Sequence, residues 1–373
     1  MTEKDLDADL VVVGAGIVGL AHAWHAVRAG MDVAVVERDE HAVGASVRNF
    51  GHVCTTAQGG EVLPIALAAR EHWLHLGRDA GLVVREAGTV LVARSAAEQA
   101  VLDEFAAERG EAVRPLTPVA AARLLGLEPV GVVGALHLVQ DLRVDAPAAP
   151  AAIAAHLQRL GVRFQWRTAV QDVADGVVTT TRGRIRAGRT VLAVGHDVDR
   201  FFPDAADAHG LVRCRLRMLE VDAPGGAEVA PALLTGTSML RYDGLSAQPS
   251  AARVREEVRG QQPELLEQVV NLMLTQRPDG RLVIGDTHHY GVTEDPFEDE
   301  RSDELVLAEV RRLLGDDPVV RRRWRGVYAS APTPFLVAQP RDGVQVVSVT
   351  SGIGMTTALG LAERVLAETL VAA

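Results

Sequence analysis

The run Asp9-Leu-Val-Val-Val-Gly-Ala-Gly-Ile-Val-Gly-Leu20 constrains the fold of this chain more than any other stretch. Its continuous apolar start reads as a buried strand, and an alanine-rich helix follows the glycines. Gly30-Met-Asp-Val-Ala-Val-Val-Glu37 reads as a second buried strand that ends on an acid. The three glycines have separate physical jobs. Gly14 allows a tight turn, Gly16 lets a pyrophosphate approach the backbone, and Gly19 lets helix and strand pack closely. Ile17 and Val18 open the helix, whose N-terminal N–H groups and dipole favour phosphate. Glu37 lies where an acid takes ribose hydroxyls, with Arg38 beside it. A lone GxGxxG is a weak signal. Strand, glycines, helix, strand and acid in this order predict an adenine dinucleotide site, without separating FAD from NAD.

The residues after Glu37 separate the two cofactors. A nicotinamide-dependent dehydrogenase goes on alternating strand and helix. Here Gly44-Ala-Ser-Val-Arg-Asn-Phe-Gly-His-Val53 is a second glycine-rich loop directly after the acid. From about Leu211 to Ala329 the text is strand-rich with turn residues. Between these lie a helix with Asp145 as its expected N-cap before Pro147, a strand near residues 162–166, and Arg189-Thr-Val-Leu-Ala-Val-Gly195. That last piece returns the chain to the first sheet. The C-terminal segment returns again, through a strand at Val344–Val349, the turn Ser351-Gly-Ile-Gly-Met-Thr-Thr357 and a terminal helix. The expected fold is α/β, α+β overall. A Rossmann-like dinucleotide domain is expected from residues 1–84, 141–210 and 331–373, with an inserted antiparallel β substrate domain from 85–140 and 211–330.

Composition narrows the function classes. The chain has 373 residues, 48% of them hydrophobic, which is a globular composition. A net charge of -11 argues against nucleic acid and anionic membranes as partners. Arg321-Arg-Arg-Trp-Arg325 is the local exception and reads as a solvated strand edge. Cys54 and Cys214 stand far apart, which fits a reducing cytoplasm and gives no metal site. The acidic N-terminus has no signal-peptide layout, and the apolar run after it is too short to span a bilayer. Lys4 is the only lysine, which argues against pyridoxal phosphate chemistry.

These residues carry a resemblance that runs nearly end to end. The chain resembles FAD-dependent oxidoreductases of the D-amino-acid, glycine and sarcosine oxidase superfamily, through Gly14–Glu37, Gly44–Val53, Val191–Gly195 and Ser351–Thr357. Further stretches are similar to a subgroup associated with phosphonate catabolism, whose members oxidise 2-aminoethylphosphonate and its N-methyl derivative. They are Val47–Val53, Leu142–Asp145, Leu240–Gly244, Val283–His288, Asp299–Leu305 and Val327–Ser330.

The resemblance implies non-covalent FAD and a small amine, an aminophosphonate, as substrate. It implies that Gly352, Gly354, Met355 and Thr356 face the flavin pyrimidine, where backbone N–H groups meet developing negative charge and side chains would hold the ring away. Ser46, Arg48, Asn49 and Gly195 are further expected cofactor contacts, with Asn49 bonding the isoalloxazine edge and Arg48 pairing with either an FAD phosphate or the substrate anion. His52 is expected near flavin N5. Arg241, Tyr242, His288, Tyr328 and Ser330 are expected around the substrate, with Arg241 and Tyr242 gripping its anion. Tyr328 stands where relatives that oxidise amino acids carry a carboxylate-binding arginine. A site without that arginine is expected to favour a tetrahedral phosphonate. A protonated His52, His288 or His289 is expected to stand in for the lysine that helps some relatives reoxidise. The electron acceptor and the oligomeric state are left open.

Overall fold

The structure is a computed structural model that describes residues 6–174 and 176–371, so Lys4 and the acidic start lie outside the described residues. The strand β1 (Leu6–Val13) runs into helix α1 (Ile17–Arg28) and β2 (Val33–Val36), and α2 (Val62–Ala80) follows. Later come β3 (Arg163–Gln165), β4 (Gly183–Leu192), β5 (Val212–Val221), α3 (Glu300–Leu314), β6 (Val320–Arg341), β7 (Val344–Ser351) and α4 (Gly354–Val371).

Five strands pair in parallel in the order β3-β2-β1-β4-β7. The buried Val-rich text of β1, β2 and β7 is what a sheet covered on both faces requires. β6 continues the sheet antiparallel to β7 and then to β5. Beyond β5 the sheet goes on through Leu282–Gly285, Met273–Gln276, Ala232–Leu234, Thr89–Ala93, Gly134–Leu138 and Val113–Leu116. Only Ala232–Leu234 with Thr89–Ala93 is a parallel pair in this second part. Register decides where the site forms. Val13 pairs with both Val36 and Leu192, so β1, β2 and β4 end side by side. Gly14, Glu37 and Gly195 therefore leave the sheet along one edge.

Helices α1, α2 and α4 cover one face of the parallel part, where Leu10, Val12, Trp24, Trp73 and Leu359 share a buried cluster. Each large apolar side chain buried there contributes about 1.5–3 kcal/mol. Trp73 also donates its indole N–H to the Met355 carbonyl at 2.7 Å, tying α2 to the start of α4. A second cluster forms under α3, where Val306 and Val310 meet Leu219, Leu274 and Ile284.

Three expectations change. The stretch 211–329 is not strands alone, since it also carries Ala251–Gln261, Pro263–Glu267 and α3. In α3 the buried positions Leu305, Val306, Glu309, Val310 and Leu313 follow helical spacing. Asp145 is not an N-cap. The helix runs Ala149–Arg159 with Pro150 in its first turn, and the Asp145 carbonyl closes a preceding turn by accepting from Ala148 and Ala149. The run 321–325 lies within β6 and not at a bare edge, because it pairs with β5. Its arginines meet acids: Arg321 meets Asp222, Arg322 meets Glu220, Arg323 meets Asp303 and Arg325 meets Glu298. Among the described residues no helix is long and apolar enough to cross a membrane.

Candidate active site

A cavity of about 540 Å³ runs from the ends of β1, β2 and β4, past the first turns of α1 and α4, to the middle of β6. That is within the usual size of a ligand site. Gly14, Gly16, Ile17, Val18, Glu37 and Arg38 line one end. Ser46, Arg48, Asn49, Gly195, Gly352, Gly354, Met355 and Thr356 line its length, and His52, Arg241, Tyr242, His288 and Tyr328 the other end. Two expected residues do not line it. Gly19 faces the Gly14 carbonyl, where a Cβ would fall 1.9 Å from the oxygen, so its work is packing. Ser330 lies two residues beyond Tyr328 on β6, where it pairs with Val212 and Ser351.

At the first end, Gly14 holds φ +104° with no room for a side chain against the Ala193 carbonyl. The Glu37 carboxylate accepts from the Ala15 N–H at 2.8 Å and the Asp39 N–H at 3.1 Å, bracing both loops. The Ser46 hydroxyl accepts from the Ile17 N–H at 2.9 Å, so the second glycine-rich loop caps α1. Arg38 donates to buried Asp197 at 2.9 Å. No side chain fills the space over the two helix starts. A Cβ at Gly16 would meet only the Ser46 hydroxyl, at 3.2 Å, and one at Gly354 only Ile17, at 3.7 Å. Two helix N-termini opening on one cavity, with an acid at the ribose end, fit an extended dinucleotide such as FAD.

Several of these residues also make contacts within the protein. The Asn49 amide donates to the Ala45 and Ser46 carbonyls and accepts from the Gly51 N–H, so it locks its own loop and has no donor left for a ring edge. The Thr356 hydroxyl accepts from the Cys54 N–H. Gly352, at φ +76°, clears room for a protein side chain: a Cβ there would lie 3.0 Å from the Tyr328 phenol. His288 donates Nδ1–H to the Val269 carbonyl at 2.8 Å, and burial with the Arg241 charge lowers its pKa to about 3. Burial and Arg215 also lower His289, which lies off the cavity. His288 is therefore neutral at neutral pH, and the charged form of His289 is disfavoured.

Arg241 donates to the Tyr328 hydroxyl at 2.7 Å and the Tyr290 hydroxyl at 3.4 Å. Burial works against its charge, yet Tyr328, Tyr290 and Asp286 together keep its pKa above the ordinary value. A guanidinium is thus brought to the Tyr328 hydroxyl from another segment. His52 is buried, with Nε2 donating to the Thr89 hydroxyl at 2.7 Å. Thr89 in turn donates to buried Asp141, which also accepts twice from Thr56. This leaves His52 Nδ1 as a buried acceptor with no partner. Asp141, Thr89, Asn271 and Asp286 were not singled out from the sequence. Asp286 sits inside the Val283–His288 stretch, and an acid between a buried strand and two histidines was the available signal.

The fold and this cavity define a dinucleotide-binding protein of mixed α/β architecture. Residues 9–368 match the DAO family model, described as FAD dependent oxidoreductase, and the chain belongs to that family. FAD is accordingly its expected cofactor. Among curated proteins, D-amino acid dehydrogenase of Bradyrhizobium diazoefficiens is 27% identical, with 50% of this chain and 60% of that protein covered. One of the opine oxidase polypeptides of Rhizobium meliloti is 29% identical, with 53% and 58% covered. The chain spans about three-fifths of the length of these curated relatives. Among solved structures, glycine oxidase from Geobacillus kaustophilus superposes with a TM-score of 0.77 at 21% identity, covering 98% of this chain and 95% of that one. Iminodiacetate oxidase from Chelativorans sp. BNC1 gives 0.75 at 18%, covering 97% and 95%. At these identities the likeness is one of fold.

Proposed function

We propose that the protein oxidises the carbon next to the nitrogen of a small amine that also carries an anionic group. Bound FAD would supply the acceptor for the hydride leaving that carbon, and water would hydrolyse the resulting imine. The observation that carries this reading is Arg241, a half-buried cation that donates to the Tyr328 and Tyr290 hydroxyls at the far end of the cavity. A guanidinium placed there binds and orients an anion, and a phenol hydroxyl beside it gives a further donor. Leu216, Met218, Phe50 and Met273 supply apolar wall around the reacting carbon and keep water away.

Two substrate classes use this grip. 2-Aminoethylphosphonate and its N-methyl derivative are favoured by the motif resemblance and by the spread of single donors around Arg241. Glycine, sarcosine or another amino acid is favoured by Arg241 itself, which restores the fork for a carboxylate that Tyr328 lacks, and by the amino-acid and imino-acid substrates that the relatives' names carry. The test is kcat/KM for all of these in parallel on the holoenzyme, with anaerobic bleaching of the flavin as the first readout. Arg241→Ala should lower kcat/KM for whichever class is used by about a hundredfold, as loss of hydrogen bonds from a charged group implies. Unchanged kinetics in that variant, or no bleaching by any of these amines, would overturn the proposal.

A further inference from the structure

An ammonium must lose a proton before the neighbouring carbon can be oxidised, and a substrate with both charges needs a cavity with both countercharges. Resting on the reading above, we infer that Asp286 receives the substrate ammonium, accepts its proton, and with Arg241 selects zwitterionic amines over simple anions or simple amines. Asp286 lines the same cavity end as Arg241, Tyr328 and Tyr242, and it is 5% exposed. Its position is fixed by reciprocal backbone hydrogen bonds with Asn271, both 2.8 Å. Among the described residues no arginine comes within ion-pair distance of its carboxylate, so it is not spent on a structural pair. Arg241 repels an ammonium and Asp286 repels an anion, so the two ends of a zwitterion have one orientation available.

The proton has a built place to go. His288 Nδ1–H is committed to the Val269 carbonyl, which leaves Nε2 as a lone pair, 3.6 Å from Asp286 Oδ2. Two lone pairs facing each other disfavour the carboxylate, and a protonated carboxyl relieves that opposition. In the transfer, the substrate N–H bond breaks, an O–H bond forms on Asp286, and the electron pair stays on nitrogen. The amine is left neutral. Burial raises Asp286 to about 7, against the Arg241 charge and the Asn271 amide at 3.3 Å, which favour the ionised form. A carboxyl at this value exchanges protons near neutrality, where general acid–base groups work best. The other groups that act on or abut it are the phenols Tyr242 and Tyr328, the Cys214 thiol and His288. Burial holds both phenols well above their ordinary value, Cys214 at about 11 and His288 at about 3. None of these four changes charge between pH 6 and 8.5.

Asp286→Asn is the test, on holoenzyme with its flavin content checked. Ethanesulfonate and propionate, anions without an amine, each keep one charge from pH 6 to 8.5. Their dissociation constants, read from the perturbed absorbance of bound flavin, should rise severalfold across that range in wild type. In the Asn variant they should stay flat at the low-pH value. With amine substrates, wild-type kcat/KM should climb through about pH 7. The variant should lose that limb, fall about a hundredfold at pH 7.5, and recover as pH nears the amine's own value of about 10. Asn271→Ala keeps the carboxylate but removes its donor, and should move the limb upward. If Asp286→Asn keeps the wild-type pH dependence in both assays, the titrating group is another and the inference falls. If no amine is oxidised by wild type, the reading of the reaction falls, while the anion titrations still judge Asp286.

Discussion

The Glu37 carboxylate already accepts two backbone N–H groups and still has lone pairs for the ribose side of the cavity. Removing it at once loosens the glycine turn and deprives the ribose of a charged acceptor. Bonds to charged groups contribute about 1.5–3 kcal/mol each, so Glu37→Ala should weaken FAD binding by tenfold or more. Gel filtration reads this directly, and a variant that elutes with one flavin per chain would show that the acid does not hold the cofactor. Glu37 was legible because its distance from Gly14 is set by a strand, a helix and a turn that are all local. Arg241 beside Tyr328 was not legible as a pair, because 87 residues separate them and only the sheet brings them together. The same is true of the closeness of Gly352 to Tyr328, where a Cβ would lie 3.0 Å from the phenol ring.

Periodicity exposed the elements better than the connections among them. The parallel strands, α1 and α4 were readable from apolar runs and glycine punctuation. The helices within 211–329 were obscured by polar faces and short length, and Asp145 looked like a cap because Pro147 comes two residues later. The pairing of α3 with β5 lay beyond reading altogether. Asp303, on α3, is fully buried and takes Arg217 of β5 through both carboxylate oxygens, at 2.9 and 2.7 Å. It also accepts from Arg323 of β6 at 2.9 Å. Asp303→Ala would leave Arg217 to Glu298 and Arg323 to Glu300, each at 3.6 Å, and breaking a buried pair costs about 3–5 kcal/mol. Denaturant unfolding should register that loss, with the flavin retained in native buffer. A midpoint equal to wild type would mean that α3 is held by its apolar face alone.

At the scale of the whole molecule, buried titratable groups set the response to pH. Burial lowers His22 and His25 to about 4 and His288 to about 3, from 6.5. In each case the unfolded chain takes a proton that the folded chain refuses. The stability this represents is fully present above about pH 6.5 and is lost as pH falls towards 4. Asp286 has the opposite sign: raised from 3.8 to about 7, it favours the folded state below 3.8 and loses that contribution as pH rises through 7. The thermal midpoint of the holoprotein should therefore fall between pH 6.5 and 4.5. His22→Gln should flatten that slope, and an unchanged slope would remove His22 from the account. The strand β6 has a mechanical consequence as well, since its 22 residues bond to β7 at one end and to β5 at the other. It acts as a beam running through the molecule, shared by the cofactor side and the Arg241 side, although its register with β7 shifts between Ser330 and Phe335. Traffic in and out of the cavity should then depend on local yielding of rim side chains. A covalent tether between the two sides should leave turnover unaffected, whereas bulk added at the rim should obstruct it.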